Sequence, residues 1–311
     1  MLSKRNIVIT YVVLVFIWAT TPLAIVWSVS DIYILWAMAL RFFIALPIAA
    51  ILLFFLKVKF PTDKVALQSY VAGSFSLIGS QIFTYIATQY LSSGIIALMF
   101  GLAPIIAGLM AHFALNQHLN RLQWLGMFVA ISGLALICFA GSEQNIQPIG
   151  IGLMLISVFM YCLSIFWVKK VNANVQPMAQ ATGSILVSAL GAICLMPWIW
   201  QYAPTHLPEA KSLLALIYTV IMASLIAMFC YFKLVRNIKA TTLSLTNVMT
   251  PLLAMLVGVL VNHEKLSMFG VIGAAIILIG LFLYFYKDLQ ASRRLQMHLK
   301  QQNSKQSFEN E

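Results

Sequence analysis

The stretch LVNHEKLSMFGVIGAAIILIGLFLYF, residues 260–285, repeats the pattern of FALNQHLNRLQWLGMFVAISGLALIC, residues 113–138. Leucine matches alone would carry little weight in so apolar a chain. The stronger evidence is that one offset, 147 residues, also aligns a proline and two glycines: Pro104 with Pro251, Gly126 with Gly273, and Gly133 with Gly280. The two copies differ where Glu264 corresponds to Gln117. The sequence therefore predicts an internal repeat.

The composition places the chain in a membrane. Apolar residues make up 62% of it and charged residues only 9%, which is far from the balance of a water-soluble domain. A hydrocarbon layer about 30 Å thick requires a helix of roughly 20 apolar residues. Ten segments meet this requirement, at about residues 7–29, 33–56, 68–90, 93–115, 123–141, 150–168, 178–200, 212–235, 241–262 and 266–286. The predicted fold class is an all-α polytopic membrane protein.

The distribution of basic residues supports the count of ten and sets the orientation. If both termini are cytoplasmic, 16 of the 19 Lys and Arg residues lie in cytoplasmic segments, and only Lys211 and Lys265 lie outside. This is the asymmetry of the positive-inside rule, which a missed or invented helix would have scrambled. The net charge of +11 is thus explained without nucleic acid. We expect a multi-pass protein of the cytoplasmic (inner) membrane with both termini inside.

The repeat joins helices 4–5 to helices 9–10, so each half contains five crossings. An odd number of crossings turns the second half upside down relative to the first. The predicted units are a first repeat at residues 1–141, a second at 142–287 and a cytoplasmic tail at 288–311. Inverted repeats of this kind are typical of transporters that expose one central site to either side in turn.

Several passages resemble the drug/metabolite transporter superfamily, and within it the EamA-type ten-helix transporters. They are WATTPLAI at residues 18–25, the step Leu40-Arg41-Phe42, and the long repeated passages at residues 90–137 and 240–285. The resemblance covers nearly the whole chain. It implies a ten-helix secondary transporter of amino acids, other metabolites or drugs, usually moved outward, and it does not specify the substrate. The first unit departs from the family pattern, because Gln117 replaces the loop glutamate.

Arg41 is the one formally charged side chain deep within a predicted span, since Lys233 lies only two residues from the end of its own span. It lies about nine residues, or roughly 14 Å, from the outer end of its helix. An unpaired charge at this depth is costly, and no carboxylate lies deep in any span. Two interpretations remain open: Arg41 binds an anionic group of the cargo, or it is a structural arginine bonded to helix ends.

Polar and aromatic residues on other helices predict a central cavity with a few hydrogen-bonding groups, the usual character of a small-molecule site. Helix 3 has a stripe containing Gln81 and Tyr85, at a spacing that puts both on one face. The full set of predicted substrate-binding residues is Trp18, Thr21, Arg41, Gln81, Tyr85, Tyr161, Ser164 and Asn247. For each residue, including the mid-span Trp18, packing between helices is the alternative to ligand contact.

Helices 4 and 9 are predicted to be inner elements near the pseudo-symmetry axis. Their prolines free backbone carbonyls that lipid cannot satisfy, and small residues at i, i+4 spacing let helix backbones approach closely. The predicted hinge or packing residues are Pro104, Pro251, Ala107, Ala254 and Gly258. A hinge and ordinary small-residue packing both remain open.

Enzyme motifs are missing from the sequence. His263-Glu264 begins like a zinc-protease helix, but Ser267 stands where the second histidine belongs, and there is no Walker A or GxSxG motif. The four cysteines lie in separate spans without CxxC spacing. We therefore expect no catalysis, cofactor or metal. The expected partners are a small-molecule substrate and the lipid bilayer, with the chain as a monomer or a homodimer.

These observations predict a secondary transporter that exports small metabolites such as amino acids by alternating access. A drug or toxic-compound efflux protein of the same fold is the alternative within this class. From another class, a channel or a non-transporting membrane scaffold is the remaining alternative; a channel would give open ionic currents, whereas a transporter would saturate.

Overall fold

The computed structural model describes residues 4–115, 118–139, 147–237, 246–264, 268–286 and 290. These ranges are helical, with short connections and no strand among them. They contain ten helices: α1 (Lys4–Ser28), α2 (Ile34–Phe55), α3 (Lys64–Ser74, Phe75–Gly79 and Ser80–Ala87), α4 (Ser93–Gly101 and Ala103–Leu115), α5 (Arg121–Phe139), α6 (Pro148–Val171), α7 (Pro177–Ile199), α8 (Ala210–Tyr218, Thr219–Ile226 and Ala227–Asn237), α9 (Thr246–Asn262) and α10 (Met268–Tyr286).

Within the described ranges, seven helices are long and apolar enough to cross a membrane, judged by length and composition: α1, α2, α4, α6, α7, α8 and α10. α5 and α9 contain shorter apolar segments. α3 is more polar because it packs against α6 and α7 inside the bundle, where its serines find protein partners. The protein is an all-α polytopic membrane protein, as the sequence predicts.

The packing of the helices repeats when the two halves are exchanged. α1 packs against α8 and α9 of the second half, and its counterpart α6 packs against α3 and α4 of the first. α2 contacts α7 and α8, just as α7 contacts α2 and α3. α4 and α9, which are counterparts of each other, are also in contact. The two five-helix repeats therefore interlock around a pseudo-two-fold axis.

The paired glycines of the repeat lie where α5 crosses α10. A Cβ atom on Gly126 would come within 2.6 Å of the carbonyl oxygen of Gly280, and one on Gly133 within 2.6 Å of that of Gly273. Because Gly126 corresponds to Gly273 and Gly133 to Gly280, the contact is reciprocal. Only glycine lets these two backbones approach so closely. The glycine matches at one offset thus mark a contact between the halves.

α3 and α8 each contain a π-helical turn, over Phe75–Gly79 and Thr219–Ile226. The two turns end 147 residues apart, which is the offset of the sequence repeat. A π turn inserts an extra residue into a helix and often occurs at functional sites. The local geometry of the two halves therefore matches even where the residues differ.

The two prolines of the repeat act differently. α4 is interrupted at Leu102, and Pro104 lies in the first turn of the segment that follows. α9 continues through Pro251 without a break. Pro251 removes a hydrogen bond in mid-helix, whereas Pro104 lies in a first turn, where the missing N–H would have no helical acceptor. Only α4 is divided into two segments.

Candidate functional site

A cavity of about 380 Å³ lies between the two halves. In the described part of the chain, its lining comes from α1–α4 and α6–α9, while α5 and α10 contribute nothing. Six of the residues predicted from the sequence line it: Trp18, Thr21, Arg41, Gln81, Tyr161 and Ser164. The fold thus brings together side chains from four helices, α1, α2, α3 and α6, which are up to 146 residues apart in the sequence.

The other two predicted residues are not among the lining. Tyr85 is fully buried, and its hydroxyl has no hydrogen-bond partner among the described residues. It faces the core between α2, α3 and α7 rather than the cavity. Asn247 lies in α9, but its side chain is outside the part of the chain that the structure describes.

Arg41 lies in the wall of the cavity and is 4% exposed. Its Nε donates to Ser224 Oγ (2.9 Å), and Nη1 donates to Gln81 Oε1 (3.2 Å). Ser224 in turn donates to the carbonyl of Thr219 across the π turn of α8 (3.0 Å). Both acceptors are neutral, and no carboxylate in the described ranges pairs with this guanidinium. The Arg41 guanidinium therefore lies beside the cavity with two neutral hydrogen-bond acceptors.

Aromatic rings form two pairs around the cavity. Trp18 lies 5.4 Å from Tyr231 between ring centroids, and Phe100 lies 6.0 Å from Tyr161 in an edge-on arrangement. Tyr231 and Phe100 were not among the predicted residues. Such pairs give the site an apolar, well-packed wall.

The repeat offset could have identified some of the missed residues. Gln81 corresponds to Met228, and Ser76 corresponds to Ala223; all four line the cavity. The counterparts have different chemistry, so a search for polar residues overlooks them. The offset is a better guide here than polarity, because the halves wrap around one shared site.

The threonine and serine hydroxyl groups of the predicted site are already bonded to the backbone. Thr21 Oγ1 donates to the carbonyl of Ile17 (2.6 Å), and Ser164 Oγ donates to that of Ala72 (2.7 Å). Each oxygen can still accept a hydrogen bond. No Asp or Glu side chain lines the cavity in the described ranges, so the charged group available to a ligand in mid-bundle is Arg41.

One end of the cavity reaches the basic end of the bundle. Val168 and the exposed Lys169, both in the last turns of α6, contribute to the lining there, together with Gln180 near the start of α7. Lys57, which follows α2, belongs to the same end. This is the end that the positive-inside rule predicts to be cytoplasmic.

The opposite end is closed by Glu264, which follows α9. Its carboxylate accepts hydrogen bonds from Ser93 N (3.1 Å), Ser93 Oγ (2.6 Å) and Gly94 N (3.3 Å), which begin α4. It also accepts one from Asn262 Nδ2 (3.1 Å), and Asn262 Oδ1 accepts one from Trp27 Nε1 of α1 (2.7 Å). We call these five residues the outer clasp. A carboxylate at a helix N-terminus is favoured by the free amides and the helix dipole.

Three of the predicted packing residues can be placed around this closure. Ala254 packs with Ala19 and Ala97 in a small buried cluster that joins α9, α1 and α4. A Cβ atom on Gly258 would come within 2.6 Å of Glu264 Oε2, so glycine makes room for the carboxylate. Pro251 lines the cavity.

A second contact lies at the same end of the bundle as Glu264, in the loop after α1. Asp31 Oδ2 accepts a hydrogen bond from the Glu209 amide (2.7 Å), and Asp31 Oδ1 lies 3.4 Å from His206 Nε2. The Glu209 amide, followed by His206, lowers the pKa of Asp31 below its ordinary value. This contact ties α1–α2 of the first half to the loop before α8.

Comparison with known proteins identifies the family. Residues 5–139 and 148–286 each match the EamA-like transporter family. Among curated proteins, "Uncharacterized transporter YoaV" of Bacillus subtilis is 22% identical and covers 86% of this chain and 92% of its own length. Protein PagO of Salmonella typhimurium is 23% identical over 91% of this chain and 93% of its own.

Two further matches agree. "Uncharacterized inner membrane transporter YedA" of Escherichia coli K12 is 25% identical over 73% of this chain and 75% of its own. A solved crystal structure superposes with a TM-score of 0.62, covering 94% of this chain and 99% of the other, at 18% identity, which shows a shared fold. With both halves matched, the protein is a membrane transporter, and the chain belongs to the EamA-like transporter family.

Proposed function

We propose that the protein is a secondary transporter of the cytoplasmic membrane that exports small metabolites bearing an anionic group, such as amino acids, by alternating access. The observation that carries the proposal is the buried charge of Arg41 beside the central cavity, held by two neutral acceptors. A carboxylate of the cargo would supply the negative charge that is missing beside Arg41 in the described ranges. Intramembrane ionisable residues commonly mark substrate sites for this reason.

Ser224 and Gln81 have a positioning role in this proposal. Each accepts one hydrogen bond from the guanidinium, which fixes the plane of the group. Arginine has five N–H donors in a rigid fork, and a carboxylate can accept two of them at once. The aromatic pairs on either side would contact the apolar part of the cargo.

Alternating access follows from the inverted halves. The described state has its cavity extending to the basic end and its outer clasp closed. Exchange of the two halves' conformations would close the basic end and open the outer one. We assign residues 1–141 and 142–287 to the two repeats. We also assign both termini to the cytoplasm. With this orientation, cargo that enters from the basic end is exported.

Efflux of amphipathic drugs is the second candidate. The ring pairs Trp18–Tyr231 and Phe100–Tyr161 favour cargo with an apolar body. The charge of Arg41 opposes cationic drugs, since like charges in a region of low dielectric repel strongly. Drug cargo would therefore be neutral or anionic.

Counterflow in proteoliposomes tests the proposal. The panel contains amino acids, other carboxylates, nucleosides and cationic drugs, and the variants are Arg41→Ala and Arg41→Lys. Arg121→Ala, which removes an exposed arginine at the start of α5, is the matched control. Thermal stability is measured for each variant so that loss of fold is separated from loss of binding.

We expect saturable counterflow of at least one carboxylate-bearing class, lost in Arg41→Ala, partly retained in Arg41→Lys and unchanged in Arg121→Ala. If Arg41→Ala is stable and transports the same carboxylates at the same rate, the assignment of Arg41 is wrong. An open-channel current in place of saturation would contradict the transporter mechanism.

A further inference from the structure

A second cavity, of about 310 Å³, lies beside the first between α2, α7 and α8. We call it the side cavity. Its walls are mainly apolar, and its lipid-facing edge includes Leu56, which is 58% exposed, and Phe229, which is 51% exposed. In a protein that spans a membrane, such exposed apolar residues contact acyl chains. The side cavity therefore opens toward lipid rather than toward water.

The side cavity has one charged residue in its lining, Lys233, whose Nζ lies 5.4 Å from the centroid of the Phe229 ring. Lys233 is near the end of α8, at the basic end of the bundle, where the start of α7 and the end of α2 also lie. This end is the level of the inner leaflet's headgroups. The cavity thus has a positive group at headgroup level and apolar walls extending toward the middle of the membrane.

The side cavity and the central cavity share a wall. Ala181 and Met228 line both of them. Ser224 lines the side cavity and accepts the hydrogen bond from Arg41, which lines the central one. The wall between the two spaces therefore includes these two apolar side chains and the hydrogen bond from Arg41 to Ser224.

We infer that the side cavity is an entrance through which a single-chain amphipathic anion passes from the inner leaflet to the central cavity. Lys233 meets the anionic group at headgroup level, and the apolar walls hold the chain. When Arg41 exchanges Ser224 for the anionic group, the wall between the cavities opens. The inference names a cargo class for the proposed transporter, and its transport step rests on that function.

The shared wall favours a moving cargo over a resident phospholipid. A phospholipid could place its headgroup near Lys233 and its chains along the apolar walls, but it would not contact Arg41 on the far side of Ser224. A single-chain anion meets one positive group in each cavity, in sequence. Lys233 and Arg41 would act on one cargo only if the same molecule moves from the side cavity to the central cavity.

Photolabelling tests binding independently of transport. The full-length chain in liposomes is exposed to decanoate carrying a diazirine at its terminal carbon, and the labelled residues are mapped by mass spectrometry. The methyl ester of the same probe removes the charge, and a diacyl phospholipid with a diazirine in one chain represents resident lipid. The variants are Lys233→Gln and Leu56→Trp. Their controls are Lys170→Gln, an exposed lysine that lines neither cavity, and Leu190→Trp, a 54% exposed leucine of α7 that lines neither.

We expect the decanoate label to concentrate on Met178 and Phe229 of the side cavity and on the shared Met228. Lys233→Gln should lower this labelling about fivefold, the worth of one basic residue near a membrane surface. Leu56→Trp should reduce it to the level of other lipid-facing positions. The two control variants and the parent should give equal labelling.

Uniform labelling of lipid-facing residues, or equal labelling by the methyl ester, would overturn the inference. Labelling by the phospholipid probe but not by decanoate would also overturn it in favour of resident lipid. These photolabelling results would overturn the entrance alone. They would not affect amino-acid counterflow, and so they would leave the proposed function unchanged. Conversely, if decanoate labels the side cavity specifically but the protein transports no carboxylate, the binding site is supported and the proposed function is contradicted.

Discussion

Replacing Glu264 with Gln should open the outer side of the protein. The substitution gives the second repeat the residue that the first already has, since Gln117 is the counterpart of Glu264. Glutamine keeps the size of the side chain but loses its charge. One of its two terminal groups becomes an NH₂, which cannot accept the hydrogen bonds that α4 offers.

The size of the effect follows from the contacts. The carboxylate accepts four hydrogen bonds, three of them from the first turn of α4. A hydrogen bond to a charged group contributes about 1.5–3 kcal/mol, against about 1 kcal/mol for a neutral one. The interaction of a carboxylate with a helix N-terminus adds about 0.3–1 kcal/mol. Allowing for the bonds that glutamine keeps, the closed state should lose about 2–3 kcal/mol, or about 30- to 150-fold in its equilibrium with the open state.

Thiol modification measures this equilibrium. Ile96→Cys places a reporter on α4, three residues beyond Ser93 and in the cavity wall, in a chain whose four native cysteines are replaced by alanine. A membrane-impermeant methanethiosulfonate reagent is added outside right-side-out vesicles. The modification rate should rise at least tenfold in Glu264→Gln. Glu209→Gln, the same change in another outer loop, is the control.

An unchanged rate in a folded, monodisperse Glu264→Gln variant would refute the outer clasp as the closing element. An equal rise in Glu209→Gln would show that loss of any outer negative charge has the same effect.

Two further predictions concern stability. Gly280→Ala should lower the free energy of unfolding by about 1–3 kcal/mol because its Cβ would lie 2.5 Å from the Ala130 amide nitrogen. Gly152→Ala, an exposed helical position with no atom within 4 Å, should be neutral or slightly stabilising, since alanine favours a helix over glycine. Thermal melts in detergent measure both variants, and equal melting temperatures would contradict the close α5–α10 crossing. Because the Asp31 pKa is lowered in the folded protein, its contact stabilises the fold above the unfolded pKa and is lost as pH falls through the folded value, so the parent should lose stability below about pH 4 more steeply than Asp31→Asn. Parallel pH profiles for the two proteins would show that the contact with Glu209 and His206 contributes nothing.

The repeat offset predicted more than a relationship between halves. It placed Gly126, Gly133, Gly273 and Gly280 at equivalent positions, and they meet where α5 crosses α10. Hydropathy and charge alone also predict the membrane class, the count of helices and the lack of a carboxylate close to Arg41. These properties depend on the composition of whole segments, which sequence displays directly.

The partners of these residues could not be predicted in the same way. Ser224 lies 183 positions from Arg41, and it faces Arg41 from a π turn whose extra residue a 3.6-residue period does not anticipate. The hydrogen bonds that Ser93 and Gly94 donate to Glu264 cross between the halves. Such pairings depend on how helices rotate against one another, and hydropathy does not specify that rotation.

A position near a predicted span end did not show whether a tryptophan lies at the membrane interface or between helices. Trp36 lies close to the start of its span, where an interfacial position is expected, but it is 9% exposed and its Nε1 donates to the Ile199 carbonyl (2.7 Å). Trp27 similarly donates to Asn262 in the outer clasp. Both indoles join helices of the two halves, a use that position along a span does not reveal.

The most direct test of alternating access is the accessibility of one cavity residue from both sides. Thr21→Cys, in the central cavity of the same cysteine-free chain, is exposed to an impermeant thiol reagent on one side of the membrane at a time, with and without transported cargo. We predict modification from either side, with cargo shifting the balance between the two rates and with no ionic current. Modification from one side only, under every cargo condition, would contradict the proposal that two inverted halves expose a single cavity in turn.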